Sequence, residues 1–266
     1  MDTNSLYIPL ELLETKKKML AGYYAHITAL DEQLGRLIVQ LKDKGIYEDT
    51  MIVFAADHGD MLGNQDAWYK SQPWRESVGI PLIMSHPGVI PEKRITNGPI
   101  SLIELMPSIL SLTGTPIPED AEGNDLSEFI LGNEEAAPDS VFINFSPNVH
   151  IIPQPPFRGV VTRTHTYAET KEDPWLLYDD GTDFFQKNNL IFWANRDDTD
   201  ICTLQEQMHA KLTYWLERTN DNFEDGDTIN NTYQPGHVGG VLPHKQNHEF
   251  NTWYAEIKRK KDAEKQ

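Results

Sequence analysis

The sequence contains a single cysteine, Cys202. One thiol cannot form an intrachain disulfide or a metal site built from several thiolates. Basic residues are also scarce, since 23 Lys and Arg stand against 41 Asp and Glu and give a formal net charge of −18. A field of this sign repels nucleic acid and anionic lipid, and an anionic substrate would need a bound cation or a well-placed Lys or Arg. We therefore expect no nucleic-acid partner and no membrane partner.

Long apolar runs are absent as well. No stretch reaches the length of about 18 apolar residues that a membrane-spanning helix needs. The segment Met1–Leu20 has no basic region followed by an apolar core, so it does not resemble an export signal. We expect a soluble chain, and the sequence leaves its compartment unknown.

Helical and strand patterns alternate in the first half of the chain. Apolar residues recur at helical spacing from Thr15 to Lys44, which predicts an amphipathic helix that Gly45 ends. The next run, Met51–Ala56, is apolar without alternation, as is typical of a strand buried on both faces. A second such run, Ile80–Met84, and a second amphipathic pattern, Pro99–Leu112, follow. These patterns predict an α/β fold, with part of a mostly parallel sheet between helices.

The character of the chain changes near residue 138. The stretch Thr115–Pro138 is rich in turn residues and predicts a linker or a surface crossing. Beyond it, short runs with partial alternation predict a small antiparallel sheet, and a helix from about Thr203 to Arg218 follows. We expect two parts, an α/β part at 1–138 and a smaller α+β part with a polar tail at 139–266.

Asp57 and His58 lie where the first predicted strand ends, in the string DHGDMLG. Ligands of open α/β sheets bind outside the carboxyl ends of the strands, because loops converge there. A carboxylate held at this edge suits a hard divalent cation, and the histidine can add a nitrogen ligand or a hydrogen bond to an anionic substrate. Taken alone, the tripeptide favours a structural alternative, in which Asp57 caps the next turn and His58 packs under a loop.

The residues around this tripeptide extend the pattern. DHGDMLG is followed in order by WYK, ES, IPLIM and PG, and preceded by YYAHITALDEQLGRLIVQL. Together with LLYDDGTDFFQKNNL further on, this order resembles the sulfatase family of the alkaline-phosphatase superfamily, over roughly residues 15 to 220. The resemblance implies a partial α/β/α sheet with a smaller C-terminal antiparallel sheet and helix. It also implies hydrolysis of a sulfate ester, with a sulfated small molecule or carbohydrate as the substrate.

The resemblance assigns roles to individual residues. Asp57 matches the family's metal-binding aspartate, and His58 a position that also ligates the divalent cation, usually Ca²⁺. Lys70 matches the lysine that contacts the sulfate group and neutralises charge as the ester bond breaks. Trp68 and Arg75 are candidates for substrate binding. Outside the family context, a solvated surface position for Lys70 and core packing for Trp68 are the more common alternatives.

The sequence also departs from the family pattern. The family's nucleophile is a formylglycine made from the Cys or Ser of a Cys/Ser-x-Pro/Ala-Ser-Arg motif, and no such motif occurs here. Cys202 lacks this context, so we expect it to be a small buried residue. We therefore expect the C-terminal portion of a sulfatase, inactive without the missing N-terminal portion. Phe184, where the family has Pro, and Asn64-Gln65, where it often has Asp-His, leave the substrate open.

Two other functions stay possible on the sequence alone. A phosphatase or phosphodiesterase of the same superfamily would also carry Asp-His-Gly, although the lysine of WYK favours a sulfatase. A non-catalytic module could keep the fold in order to bind a carbohydrate. Assays on sulfate and phosphate esters separate the two enzymes, and the coding sequence upstream of Met1 separates both from the binding module.

Overall fold

The computed structural model describes residues 10–147, 155–192, 198–224, 226 and 228. Residue contacts divide the chain into a main unit, Met1–Phe145 with Pro156–Phe223, and a second unit, Ser146–Pro155 with Glu224–Gln266. The helices are α1 (Leu10–Asp43), α2 (Arg75–Val78), α3 (Leu105–Leu112), α4 (Ser127–Leu131) and α5 (Thr199–Thr219). The strands are β1 (Ile52–Ala55), β2 (Leu82–Ser85), β3 (Ser140–Phe145), β4 (Phe157–Thr162), β5 (His165–Glu169) and β6 (Pro174–Asp179). The predicted domain boundary near residue 138 stays a prediction.

Little of the second unit lies within the described residues. Its Ser146 hydroxyl donates a hydrogen bond of 3.1 Å to the Glu224 carbonyl oxygen. Its Gly226 amide donates one of 3.0 Å to the Pro147 carbonyl oxygen. Most of the predicted polar tail lies outside the described residues.

The first helix forms as its periodicity predicts. It begins at Leu10, earlier than expected, and ends at Asp43 before Gly45, whose φ is 67°. Its apolar side chains remain in contact with solvent, and Tyr24, Ile27 and Leu30 are 61%, 49% and 57% exposed. Within the part of the chain that the structure describes, no helix or strand covers this apolar face. None of the described helices combines the length and the apolar character needed to cross a bilayer.

The first two strands pair with each other and run antiparallel. Ile52 lies opposite Ser85, and Ala55 lies opposite Leu82. The expected parallel arrangement is therefore wrong for this pair, because a continuous apolar run indicates that a strand is covered but not which way its neighbour runs. The expected burial on both faces is wrong as well. These strands are mostly half-buried, and Ile83 is 61% exposed.

The other four strands form the predicted small antiparallel sheet, in the order β3-β4-β5-β6. α5 covers one face. Its packing is centred on six buried residues: Val160, Tyr167, Leu177, Met208, Leu212 and Trp215. Burial of each large apolar side chain contributes about 1.5–3 kcal/mol. The Asp198 carboxylate caps α5 by accepting from the amides of Asp200 and Ile201 at 3.0 and 3.3 Å.

A buried ion pair joins the end of α5 to this sheet. The Arg158 side chain is 2% exposed, and its guanidinium donates to both carboxylate oxygens of Asp221, at 2.5 and 3.0 Å. The ring of Phe223 lies against the same guanidinium, with 4.8 Å between the guanidinium carbon and the ring centroid. A fork of two charge-assisted hydrogen bonds is a strong and geometrically specific contact.

The turn-rich stretch before β3 contains more structure than a linker. It holds α4, in which Phe129 is fully buried. The Arg94 guanidinium donates to the carbonyl oxygens of Phe129 and Ile130, at 2.8 and 2.9 Å, and pairs with Glu134 at 2.6 Å. A few apolar residues among acids and prolines were enough to fold this segment onto the main unit.

Candidate functional site

Asp57 and His58 lie just beyond the end of β1, with their side chains beside each other. Asp57 Oδ2 is 3.4 Å from His58 Nε2, and Asp57 Oδ1 accepts a hydrogen bond of 3.0 Å from the His58 amide. The Asp57 side chain is 82% exposed and that of His58 is 39% exposed. The carboxylate and the ring therefore face the same solvent-accessible side of the strand end.

Two further contacts orient the His58 ring. Its Nδ1 lies 2.7 Å from the Gly59 carbonyl oxygen, and its Nε2 lies 2.8 Å from Lys70 Nζ. A carbonyl oxygen only accepts and an ammonium group only donates, so we assign the hydrogen to Nδ1 and the lone pair to Nε2. The Nε2 lone pair thus accepts from the Lys70 ammonium beside the Asp57 carboxylate, and it could bind a cation once Lys70 moves away.

The loop that returns Lys70 to His58 is built from left-handed turns. Six of its residues have positive φ: Leu62, Gly63, Gln65, Asp66, Tyr69 and Ser71. Each non-glycine residue held in this region costs of order 1 kcal/mol or more, so surrounding contacts must stabilise the loop. Two such contacts are the hydrogen bonds from the Met61 amide to the Tyr69 carbonyl oxygen, at 2.7 Å, and from Gly63 to Ala67, at 2.9 Å.

The glycine of Asp-His-Gly is required by packing against α2. The Gly59 amide donates a hydrogen bond of 2.8 Å to the Ser77 carbonyl oxygen. A Cβ added at Gly59 would lie 2.0 Å from the carbonyl oxygen of Glu76 and 2.8 Å from that of Gly79. No larger residue fits without moving α2, so the strand end and this short helix form one packed unit.

Gln186, which the sequence did not single out, connects the second sheet to this region. Its side chain is completely buried. Its Oε1 accepts from the Arg75 amide at 2.8 Å, its Nε2 donates to Asp180 Oδ1 at 2.7 Å, and its carbonyl oxygen accepts from Gln65 Nε2 at 2.6 Å. A single glutamine in an irregular turn after β6 carries no sequence pattern that would have revealed this role.

The predicted substrate-binding residues take different positions. Arg75, at the first position of α2, places its guanidinium carbon 4.1 Å from the centroid of the Phe184 ring. Trp68 is half-buried, with Lys16 Nζ 5.6 Å from its ring centroid. The nearby Trp74 packs into the apolar cluster on the second sheet. The described contacts do not place Trp68 or Arg75 beside His58.

The donors present fit part of a metal site. Asp57 offers carboxylate oxygens and His58 a ring nitrogen, whereas Ca²⁺ takes six to eight oxygen ligands. Asp60, the other acid of the string, is engaged elsewhere, because its Oδ1 accepts from the Leu62 amide at 2.9 Å. Among the described residues, no group of three or more His, Cys, Asp or Glu side chains could hold a metal ion. Asp57 and His58 could therefore supply some ligands of a cation, with the others coming from elsewhere.

Two other features lie apart from this region. Cys202 is exposed on α5, so the expectation of a buried residue was wrong, because its position falls on a part of the helix that the sheet does not cover. A cavity of about 460 Å³ lies between β2 and α4, and Asp57, His58 and Lys70 do not line it. Neither feature contributes to the strand-end site.

Comparisons with known proteins identify the family. The family model described as N-sulphoglucosamine sulphohydrolase, C-terminal, matches residues 63–218. The model described as Sulfatase matches residues 5–115. The chain belongs to the sulfatase family of the alkaline-phosphatase-like superfamily. The predicted family and fold class are thereby confirmed.

Individual proteins show the same similarity. An ulvan-active sulfatase of Formosa agariphila is 37% identical over 215 residues, which cover 79% of this chain and 41% of that protein. An arylsulfatase of Clostridium perfringens is 31% identical over 236 residues, covering 86% and 45%. The solved phosphonate monoester hydrolase of Agrobacterium radiobacter is 25% identical with a TM-score of 0.62, covering 72% and 40%. The chain spans less than half the length of each of these proteins.

Proposed function

We propose that the chain is part of a sulfatase of the arylsulfatase or carbohydrate-sulfatase type, and that Asp57, His58 and Lys70 belong to its active site. The main observation in support of the proposal is that the Asp57 carboxylate and the Lys70 ammonium both lie close to Nε2 of His58. His58 Nε2 lies 3.4 Å from the Asp57 carboxylate and 2.8 Å from the Lys70 ammonium. A loop with several left-handed residues is needed to produce this approach, which a solvated surface lysine would not require.

The three side chains have separate tasks in this proposal. Asp57 and His58 would hold a divalent cation, which we propose to be Ca²⁺. When bound, this cation supplies Lewis-acid polarisation of a sulfate oxygen. The Gly59 carbonyl oxygen holds the His58 ring with Nε2 facing the site. Lys70 places a positive charge at the same point, where it stabilises the charge that develops on a sulfate ester as the bond breaks.

The proposed cation and the Lys70 ammonium would also compensate locally for the negative charge of the whole chain. A net charge of −18 repels a sulfate ester at long range. An anion can bind only where the local charge is reversed, and a cation beside the Lys70 ammonium would reverse it. The strand end is therefore the place in the described chain where we expect the reacting sulfate group.

We propose that the family's nucleophile, formylglycine, is supplied by residues beyond those of this sequence. The sequence contains no motif from which formylglycine is made, and the chain spans 41% of the length of the ulvan-active sulfatase. We therefore propose that it is the C-terminal portion of a sulfatase and is inactive by itself. The missing N-terminal portion would add the nucleophile and the remaining metal ligands.

A sulfated carbohydrate is the substrate that we propose. The name of one relative supports it, the ulvan-active sulfatase, which is 37% identical over 215 residues. A phosphate or phosphonate ester is the second candidate, because the phosphonate monoester hydrolase has the same fold. Both classes of substrate carry a tetrahedral anion that a cation and Lys70 could bind.

The test uses a protein completed with the N-terminal portion of a sulfatase. We expect Asp57→Asn to weaken Ca²⁺ binding, because it removes one carboxylate charge. We expect Lys70→Ala to leave Ca²⁺ affinity nearly unchanged and to lower turnover by about 100- to 1,000-fold. Calorimetric Ca²⁺ titration and assays on matched sulfate and phosphate esters measure the two effects.

Two controls complete this experiment. Lys44→Ala changes an exposed lysine just beyond α1 and should alter neither quantity. The 266-residue chain alone should show no hydrolysis at any Ca²⁺ concentration. Equal loss of Ca²⁺ affinity in the Asp57 and Lys70 variants would contradict their separate roles, and faster turnover of phosphate than of sulfate esters would favour the second candidate.

A further inference from the structure

A cationic and aromatic surface lies on the turn after β6. The side chains of Phe184 and Phe185 are 57% and 56% exposed, and their rings meet edge to face with 5.3 Å between centroids. The Arg75 guanidinium carbon lies 4.1 Å from the centroid of the Phe184 ring, and Lys187 Nζ lies 5.4 Å from that of Phe185. We call Arg75, Phe184, Phe185 and Lys187 the aromatic platform.

The aromatic platform adjoins the strand-end site through backbone contacts. Arg75 belongs to the same helical turn as Ser77, whose carbonyl oxygen accepts a hydrogen bond from Gly59. The other side of the platform is held by Gln65 Nε2, which donates to the Gln186 carbonyl oxygen at 2.6 Å. Both halves of the platform are therefore attached to the elements that carry His58 and Lys70.

Within the described residues, the Arg75 guanidinium and the Lys187 ammonium contact aromatic rings and form no ion pair. Among the residues that the structure describes, no carboxylate forms an ion pair with Arg75 or Lys187. The nearby carboxylates of Glu76 and Asp183 accept hydrogen bonds from amide groups, at 2.5 and 2.6 Å. Two cations that lack an ion pair among the described residues, beside two exposed rings, are thus available to an anionic ligand, in a chain whose net charge would otherwise repel it.

We propose that the aromatic platform binds an anionic saccharide and acts as a subsite beside the reaction centre. The inference rests on the proposed sulfatase function and names where the rest of the substrate lies. Exposed aromatic rings offer a rigid apolar surface to the carbon face of a sugar ring. The Arg75 guanidinium, oriented by the Phe184 ring, presents a planar fork that suits a sulfate or carboxylate group, and Lys187 adds a second charge.

This pairing of charge and ring surface selects one class of ligand. A neutral sugar would use the rings but leave the cations unpaired. A polyanion without sugar rings would use the cations but leave the apolar surface exposed. Phe184 stands where the sequence departs from the sulfatase pattern, so the platform belongs to this chain rather than to the shared strand-end site.

The test measures binding of the whole 266-residue chain by calorimetry at low salt. The probes are sulfated dextran oligosaccharides, unsulfated dextran oligosaccharides of the same length, and polyphosphate of matched charge. We expect the sulfated saccharide to bind about tenfold or more tightly than either other probe. The double variant Phe184→Leu/Phe185→Leu keeps the apolar volume without the rings and should bind it about tenfold more weakly.

Further variants separate loss of the platform from loss of the fold. Arg75→Lys keeps the charge but removes the planar fork, and should also weaken binding several-fold, by roughly 5-fold. Phe192→Leu and Lys44→Ala change an equally exposed phenylalanine, at 56%, and an exposed lysine outside the platform, and should bind like the unchanged protein. Circular dichroism of each variant identifies any that fails to fold, and Arg75→Lys alone then decides.

The possible outcomes are distinct. Absence of binding to sulfated dextran, or binding by both Arg75→Lys and Phe184→Leu/Phe185→Leu that is as tight as that of the unchanged protein, overturns the proposal. Equal affinity for polyphosphate overturns the saccharide assignment. Binding of sulfated dextran by this chain, with no sulfate-ester hydrolysis by the protein completed with a sulfatase N-terminal portion, refutes the proposed function alone. Hydrolysis by the completed protein, with unaltered binding in the platform variants, refutes the platform alone.

Discussion

Gln186→Leu tests how the second sheet holds the strand-end site. The substitution keeps a similar volume in a fully buried position but removes two hydrogen bonds, from the Arg75 amide at 2.8 Å and to Asp180 at 2.7 Å. A buried partner left unpaired costs about 1–3 kcal/mol. Because Arg75 and Asp180 are only half-buried, water can reach them in part, and each loss lies near the lower limit. We expect the free energy of unfolding to fall by about 2–3 kcal/mol.

Urea denaturation followed by circular dichroism measures this difference. Gln65→Ala is the comparison variant, since it removes the side-chain donor to the carbonyl oxygens of Gln186 and Phe185, at 2.6 and 3.5 Å, and should lower the free energy of unfolding by about 1 kcal/mol, less than Gln186→Leu does. Amide hydrogen exchange at Arg75 and Gly59 should accelerate in Gln186→Leu, because α2 loses one of its contacts with the turn after β6. A stability change within about 0.5 kcal/mol, with unaltered exchange, would show that Gln186 does not hold the loop.

Two further predictions concern the second sheet. Burial, aided by the neighbouring Glu169 carboxylate, raises the pKa of Tyr167 well above its ordinary value of 10.0. The folded state then keeps the phenol proton that the unfolded chain releases, so stability is full below pH 10 and falls above it. Tyr167→Phe should remove about 1.4 kcal/mol per pH unit from that fall, and an unaltered alkaline unfolding curve would contradict this. Arg158→Met should lower the free energy of unfolding by about 3–5 kcal/mol in chemical denaturation, because Asp221 becomes a largely buried and uncompensated charge. Arg163→Met, at an exposed arginine, is its control, and similar losses in both would refute the argument.

Short-range sequence patterns predicted most helices and strands, because helical spacing and strand alternation each repeat within a few residues. Helical spacing located α1 and α5, and alternation between turn residues located β3 to β6. The relative direction of β1 and β2 was not predictable, since it depends on the path of the 26 residues from 56 to 81 rather than on either strand. The fold of the segment before β3 was missed because its few apolar residues, such as Phe129, are hidden among acids and prolines.

In the candidate site, too, contacts between residues that are near in sequence were predictable, and contacts between distant residues were not. Asp57 and His58 are neighbours in the chain, so their approach at the strand end followed from sequence. Lys70 was identified only through the resemblance, because its return depends on left-handed residues that no periodicity reveals. Gln186 could not be found at all, since the Arg75 amide that it binds is 111 residues away. Contacts of this range have no signature in a single sequence.

The dependence of the Lys70 loop on Gln186 also has a consequence for synthesis on the ribosome. Gln65 and Gln186 are separated by 121 positions. At about 5–20 residues per second, a ribosome needs roughly 6–24 s to make this length of chain. During that interval the loop lacks the partner that stabilises its left-handed turns, so it stays accessible to chaperones and proteases. Slow codons between these two positions would lengthen that exposure, and the yield of folded protein should respond to them.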